Sequence, residues 1–220
     1  MNQKWLFGRG FYTLLYIVGM MMVLASCSEE KTYKIGVSQC GSGQWREKVN
    51  SEMLAAQHLY EQNAKIIITC AYDDTERQIK QIDSLVNSGI DLLVVAPNEA
   101  APISEAISRV RKQGIPVICF DRKVEGGNYT AFIGGSNVEA GHAVGVNAVD
   151  VAKSIVAQGH KPLVLEITAT MSSSPAKERH DGFSQAMKGH DELDYVWRTS
   201  DWISRSEERV SRNAETDIVC

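Results

Sequence analysis

An α/β fold built on parallel sheets is what this chain of 220 residues predicts. Three observations carry the prediction. Short runs rich in Val, Ile and Leu recur along the chain. Segments with apolar residues at helical spacing alternate with them, about every 25–30 residues, as strand–helix–strand units do. The strand-like runs are apolar at consecutive positions rather than at every second one, which marks strands covered on both faces.

The elements follow in order. Residues 33–38 (YKIGVS) form the first strand, and 44–62 a helix with Trp45, Val49, Met53, Ala56 and Tyr60 on one face. Residues 64–71 (AKIIITCA) are the second strand. The helix over 76–87 spaces Ile79, Ile82 and Val86, and Gly89 stands where a helix stops. Asp73 and Asp74 precede it, and an N-cap is their simplest role, because neighbouring carboxylates on one segment point apart and make a poor catalytic pair. Residues 91–96 (DLLVVA) are the third strand, 102–113 a helix stopped by Gly114, and 115–120 (IPVICF) the fourth strand. A short run at 129–133 is followed by a long helix over 137–157, where Gly141 and Gly145 allow close packing. The pattern then restarts with a strand at 161–167, a helix at 176–188, a strand at 195–198, a helix at 203–213 and a strand at 216–220. This divides the chain into a first lobe at 33–137, a connecting helix at 138–159 and a partial second lobe at 160–220.

The beginning of the chain is of another kind. Residues 1–26 carry Lys4 and Arg9, no acidic residue, and the apolar run FYTLLYIVGMMMVL at 11–24. That run is shorter than the roughly 20 residues a spanning helix needs, and it has the layout of a secretory signal. It ends in Leu24-Ala25-Ser26-Cys27, which resembles the lipobox of bacterial lipoproteins. The resemblance implies cleavage before Cys27, lipid on that cysteine, a polar tether over 27–32, and a place at the membrane in the periplasm or cell envelope. An uncleaved anchor is the alternative.

Composition narrows the function. Lys and Arg number 23 against 27 Asp and Glu, a balance that argues against a nucleic-acid binder. Cys40, Cys70, Cys119 and Cys220 are too sparse for a disulfide-stapled domain, and Cys70 and Cys119 end apolar runs like small core residues. There is no CxxC and no HExxH, the five His are scattered, and neither a metal nor another cofactor is expected. Gly41-x-Gly43 follows a strand, but Arg46 occupies the third glycine position of the dinucleotide fingerprint.

Ligands of open parallel sheets gather beyond the carboxyl ends of the strands. Here those ends carry Gln39 to Arg46, Pro97-Asn98-Glu99, Asp121-Arg122, Thr168 to Ser174 with Lys177-Glu178-Arg179 beyond, and Ser200-Asp201-Trp202. Carboxylates accept hydroxyls, guanidinium groups offer a fork of donors, and indole faces cover the apolar side of a sugar ring. This is chemistry for binding. Trp45 also lies on the apolar stripe of its helix, and Trp202 could pack between lobes, so core roles stay open for both.

The segments KIGVSQ, DDTERQIKQIDSLVNSGIDLLVVAPNE, GIPVICFDR, IGGSNVEAG and SSPAKERHDGF, between residues 33 and 202, resemble the type I periplasmic sugar-binding proteins. The resemblance implies two Rossmann-like lobes that close on a mono- or oligosaccharide, with no enzyme activity. Carried over by position, Gln44 and Trp45 fall where aromatics pack on the sugar, with Arg46 beside them. Glu99 follows the Pro turn; Asp121 falls at a hydroxyl-binding aspartate, with Arg122 after it. Arg179 falls at an arginine of the second lobe, and Trp202 at a second stacking aromatic. Gln44 departs from the pattern, being no aromatic. The family's later Asn-Asp motif is not met before Cys220, which implies an incomplete second lobe.

Two roles fit the resemblance: the solute-binding lipoprotein of a sugar ABC transporter, working with its permease, and the periplasmic sensing domain of a hybrid two-component regulator, working with its own kinase module. The SQC…WR opening and SSPAKERHDGF look especially like the second. A sugar-cleaving enzyme would need two carboxylates facing each other across about 5–10 Å, for which Glu99 and Asp121 are the candidates. A transcription regulator of the same fold would need a helix-turn-helix before residue 33, where an export signal stands instead.

Overall fold

The computed structural model describes residues 31–59 and 63–200. The signal and lipobox, Trp202, and the helix and strand expected beyond residue 200 lie outside them. No helix among the described residues is long and apolar enough to cross a membrane.

Five parallel strands form the first sheet: β1 (Tyr33–Gln39), β2 (Ala64–Cys70), β3 (Leu92–Val95), β4 (Val117–Phe120) and β5 (Ala131–Ile133). They lie in the order β2-β1-β3-β4-β5. Every pairing is parallel, with Val37 beside Ile68 on one side and Val94 on the other. The connecting helices are α1 (Gln44–Leu59), α2 (Thr75–Asn87) and α3 (Ala100–Lys112).

Both faces of this sheet are covered, as the consecutive apolar runs require. Leu93 and Val95 of β3 and Val117 and Cys119 of β4 pack with Ile82 and Leu85 of α2 and Ile103, Ile107 and Val110 of α3. Val94 and Phe120 turn the other way and meet Val49 and Met53 of α1 with Cys40 and Ala96. One side chain of α1 leaves the apolar stripe that its spacing predicts. Trp45 was placed on the apolar stripe with Val49 and Met53, yet it is 54% exposed while Arg46 beside it is buried. Near the first turn of a helix that starts at a strand end, the inward direction points at the loops, not at the core.

Helix boundaries follow local chemistry. Asp74 caps α2, its carboxylate accepting from the Arg77 amide at 2.9 Å. Gly89 and Gly114 adopt φ of 75° and 82°, the left-handed conformation that ends α2 and α3. The start of α3 lies two residues before the expected one, with Pro102 inside the first turn, where its missing N–H costs nothing.

The second sheet pairs β6 (Leu163–Thr168) and β7 (Asp194–Thr199), in parallel. Two helices go with it, α4 (Asn137–Ala157) and α5 (Ser174–Met187). Val149 and Ala152 of α4 pack with Phe183 and Met187 of α5, against Val164 and Tyr195 of the strands. The two helices touch through glycine. A Cβ on Gly141 would overlap the Arg179 carbonyl, and one on Gly182 the Val138 carbonyl. Under α5, Glu166 accepts from the Tyr195 hydroxyl and pairs with His180 Nδ1 at 2.9 Å. Burial, with the Glu166 carboxylate adding to it, pushes the Tyr195 phenol up to about 12.

Candidate functional site

The strand order reverses between β1 and β3, so the loops that follow these two strands diverge and open a crevice at the carboxyl end of the sheet. β1 ends in Gln39, whose side chain is fully buried. The loop after it is held from the side: Asp73 N donates to the Cys40 carbonyl at 2.7 Å and the Cys70 thiol to the Gly41 carbonyl at 3.1 Å. α1 then starts at exposed Gln44, and its third residue, Arg46, turns inward.

Arg46 meets Asp121 there. Its Nη2 donates to Asp121 Oδ2 at 3.0 Å, and its Nη1 to Gln39 Oε1 at 3.0 Å. A guanidinium this buried has to be paired, and these two acceptors do it. Arg122 Nε lies 3.8 Å from the same Oδ2. The Trp45 ring stands over the Arg46 guanidinium, 5.2 Å from centroid to Cζ.

The backbone presents Asp121 in an unusual way. Its φ is 62°, and the Arg122 amide donates to the Phe120 carbonyl at 2.6 Å, closing a γ-turn around it. Aspartate tolerates this conformation better than most residues, but it is still strained. The Asp121 amide is tied to the Ile133 carbonyl of β5 at 2.9 Å. A side chain that is 32% exposed is thereby held at the strand end beside two guanidinium groups.

The loop after β3 is fixed by a second network. Gln78 of α2, fully buried, accepts from the Asn98 amide at 2.8 Å and donates to the Ala96 carbonyl at 2.9 Å. Asn98 donates to Thr75 Oγ1, and Thr75 donates to Glu99 Oε2 at 3.1 Å. The Asn98 carbonyl accepts from Arg122 Nη1 at 3.2 Å, which joins this loop to the Asp121 turn.

A cleft of about 510 Å³ adjoins, where the loops after β3, β4 and β6 meet. Glu99, Lys123, Ser173 and Glu178 are among its lining residues. Four of its charged side chains are paired, Lys123 with Glu178 at 2.9 Å and Lys177 with Asp181 at 2.8 Å. Two backbone amides reach across it: Ala100 N donates to the Ser172 carbonyl at 3.0 Å and Lys123 N to Ser174 Oγ at 2.7 Å.

Of the residues expected from the sequence, Trp45, Arg46, Asp121 and Arg122 are brought together. Glu99 belongs to the neighbouring loop and is the one among them that lines the cleft. Arg179 is exposed on α5, its Nε donating to Asn137 Oδ1 at 3.0 Å. Gln39, read from the sequence only as part of a strand-end loop, donates from Nε2 to Asn50 Oδ1 at 2.6 Å, and Asn50 was not singled out. The signal was a glutamine ending an apolar strand, since such a group, once buried, demands partners.

Cys40 and Cys119 are buried. Burial pushes the Cys119 thiol up to about 12. It also raises Cys40, with the guanidinium groups of Arg122 and Arg46 pulling part of the way back. Among the described residues no three His, Cys, Asp or Glu are placed to hold a metal ion. The arrangement offers carboxylate and amide acceptors, guanidinium donors and an exposed indole face.

Residues 35–215 match the profile of the periplasmic binding protein domain. The chain belongs to that family. Among the relatives of this periplasmic binding protein domain, the D-xylose-binding periplasmic protein of Haemophilus influenzae is 30% identical over 146 residues, 66% of this chain and 41% of that protein. The ribose import binding protein of Bacillus subtilis is 28% identical over 121 residues, 54% of this chain and 37% of its own. Among solved structures, the fructose-binding periplasmic domain of a hybrid two-component system superposes with a TM-score of 0.73 at 33% identity, over 84% of this chain and 59% of that one. This periplasmic binding protein domain therefore spans about half the length of the relatives it matches.

Proposed function

We propose that this chain is a periplasmic sugar-binding domain that closes on a monosaccharide. The Asp121 constellation carries the reading: a partly exposed carboxylate, held on one oxygen by Arg46 and flanked by Arg122, beside the exposed face of Trp45. A sugar needs this combination, with acceptors and donors for its hydroxyls and a flat apolar face for its ring C–H groups. Relatives that bind xylose, ribose and fructose support it. Gln44, Glu99, Arg179 and Trp202 complete the set by family position, with Glu99 on the loop that Arg122 bonds.

Calorimetry with D-xylose, D-ribose and D-fructose tests the reading. The expected result is one sugar bound with a Kd on the order of micromolar, about −8 kcal/mol. No heat with any of the three at millimolar concentration would overturn it.

Two couplings follow from closure. Leu24-Ala25-Ser26-Cys27 favours a lipid-anchored solute receptor of a sugar ABC transporter. The 33% identity with a sensor's fructose-binding domain favours a sensing role in a two-component system. Deleting the gene separates them. Lost uptake of labelled sugar marks the receptor; lost sugar-dependent transcription with uptake intact marks the sensor.

A further inference from the structure

We infer that Gln39 and Asn50 are positioning residues for sugar selectivity, acting on Asp121 through Arg46; this deepens the sugar-binding reading and rests on it. The relay runs in one line. Gln39 Nε2 donates to Asn50 Oδ1 at 2.6 Å, Arg46 Nη1 donates to Gln39 Oε1 at 3.0 Å, and Arg46 Nη2 donates to Asp121 Oδ2 at 3.0 Å.

Its sense cannot be reversed. A guanidinium carries only donors, so the Gln39 amide must turn its oxygen to Arg46. Its NH₂ then faces Asn50, which must answer with its own oxygen. Every amide orientation is thus fixed by the charge at one end. Asn50 stands one turn after Arg46 on α1, so the helix that carries the guanidinium also carries the group that locks its partner.

Arg46 is 9% exposed and Gln39 is fully buried, so both act from behind the ligand surface. Arg46 occupies Asp121 Oδ2 and lies under the Trp45 ring. The other carboxylate oxygen, Oδ1, is left for a ligand hydroxyl. A guanidinium held at both of its η nitrogens sets where Oδ1 points relative to the indole face. That relation decides between epimers that present a hydroxyl axially or equatorially.

The test compares Asn50→Leu, Asn50→Asp and Gln39→Leu with the parent chain. Calorimetry reads the Kd for the best-bound sugar and for an epimer of it, and a thermal melt is run beside each. Asn50→Leu and Gln39→Leu are expected to weaken the best sugar about tenfold and to narrow the preference over the epimer. Asn50→Asp keeps the acceptor and is expected to keep the preference. Folded Leu variants with the parent's affinity and preference would overturn the inference, as would Asn50→Asp behaving like Asn50→Leu. Should Gln39→Leu not fold, Asn50→Leu, altered at a half-buried helix position, decides alone.

A second measurement needs no sugar. In the parent, the Arg46 guanidinium nitrogens are expected to give separate NMR signals because rotation is slow, and in Asn50→Leu to average. Averaged signals in the parent would remove the relay. Separate signals in a parent that binds no sugar would uphold the relay and sink the functional reading instead.

Discussion

Asp121 is strained because of where it must point. Its γ-turn aims the carboxylate out of the strand end, where continued β geometry would not, and a conformation of this kind costs on the order of 1–3 kcal/mol. Asp121→Asn keeps a residue that tolerates positive φ and an oxygen for Arg46, so a stability loss of about 1 kcal/mol is expected. Asp121→Ala adds backbone strain and leaves Arg46 without that partner, for a loss of about 3 kcal/mol. Both should lose sugar affinity by tenfold or more. Urea denaturation and calorimetry check the order, and equal stability losses would refute the strain account. Sequence reasoning named Asp121 from its motif and its strand end. It had no access to the γ-turn, because an Asp-Arg pair after a strand fits many turns. Arg46 was legible as a polar residue in the right loop, but its burial was not: it depends on buried Gln39 and on Asp121, 75 residues away.

At the scale of elements, the helix pair α4 and α5 rests on glycines that face each other's backbone. The sequence offered Gly141 and Gly145 as sites of close packing, and both are. Gly182 went unnoticed because it sits inside a motif already assigned to binding. Gly182→Ala should cost about 2–3 kcal/mol, since the new methyl meets the Val138 carbonyl and the His142 amide, neither of which can swing away as a side chain would. Gly189→Ala, at a φ of 82° with open space, tests the contrast: its cost is conformational, about 1 kcal/mol. Urea midpoints that rank the two the other way would show that the helices can separate cheaply. Among the described residues, strands and helices were otherwise legible to within a few residues, because consecutive apolar runs and helical spacing report burial directly. The ends of α3 and α5 were less so. Pro102 and Pro175 look like boundaries in a sequence, yet each lies in a first turn.

For the whole molecule, stability should carry an alkaline limit set in the second sheet. Tyr195 holds its proton to about 12 beside Glu166, against about 10 in an unfolded chain. The folded state then binds the extra proton between those values. Stability from this group is fully present below about pH 10 and is lost as pH rises towards 12. Tyr195→Phe should flatten the decline of the melting temperature over that window, and an unchanged decline would assign it elsewhere. The parallel architecture was visible from the repeat alone. The hydrogen bonds between loops of the two sheets were not, because both are donated by backbone amides, which every residue but proline carries. These bonds make Ala100 and Lys123 useful in another way. Their amide protons are committed to Ser172 and Ser174, outside any helix or strand ladder. Deuterium can enter at these two positions only when the loops part. Their exchange rates therefore report how much of the time the cleft stands open, with no ligand present.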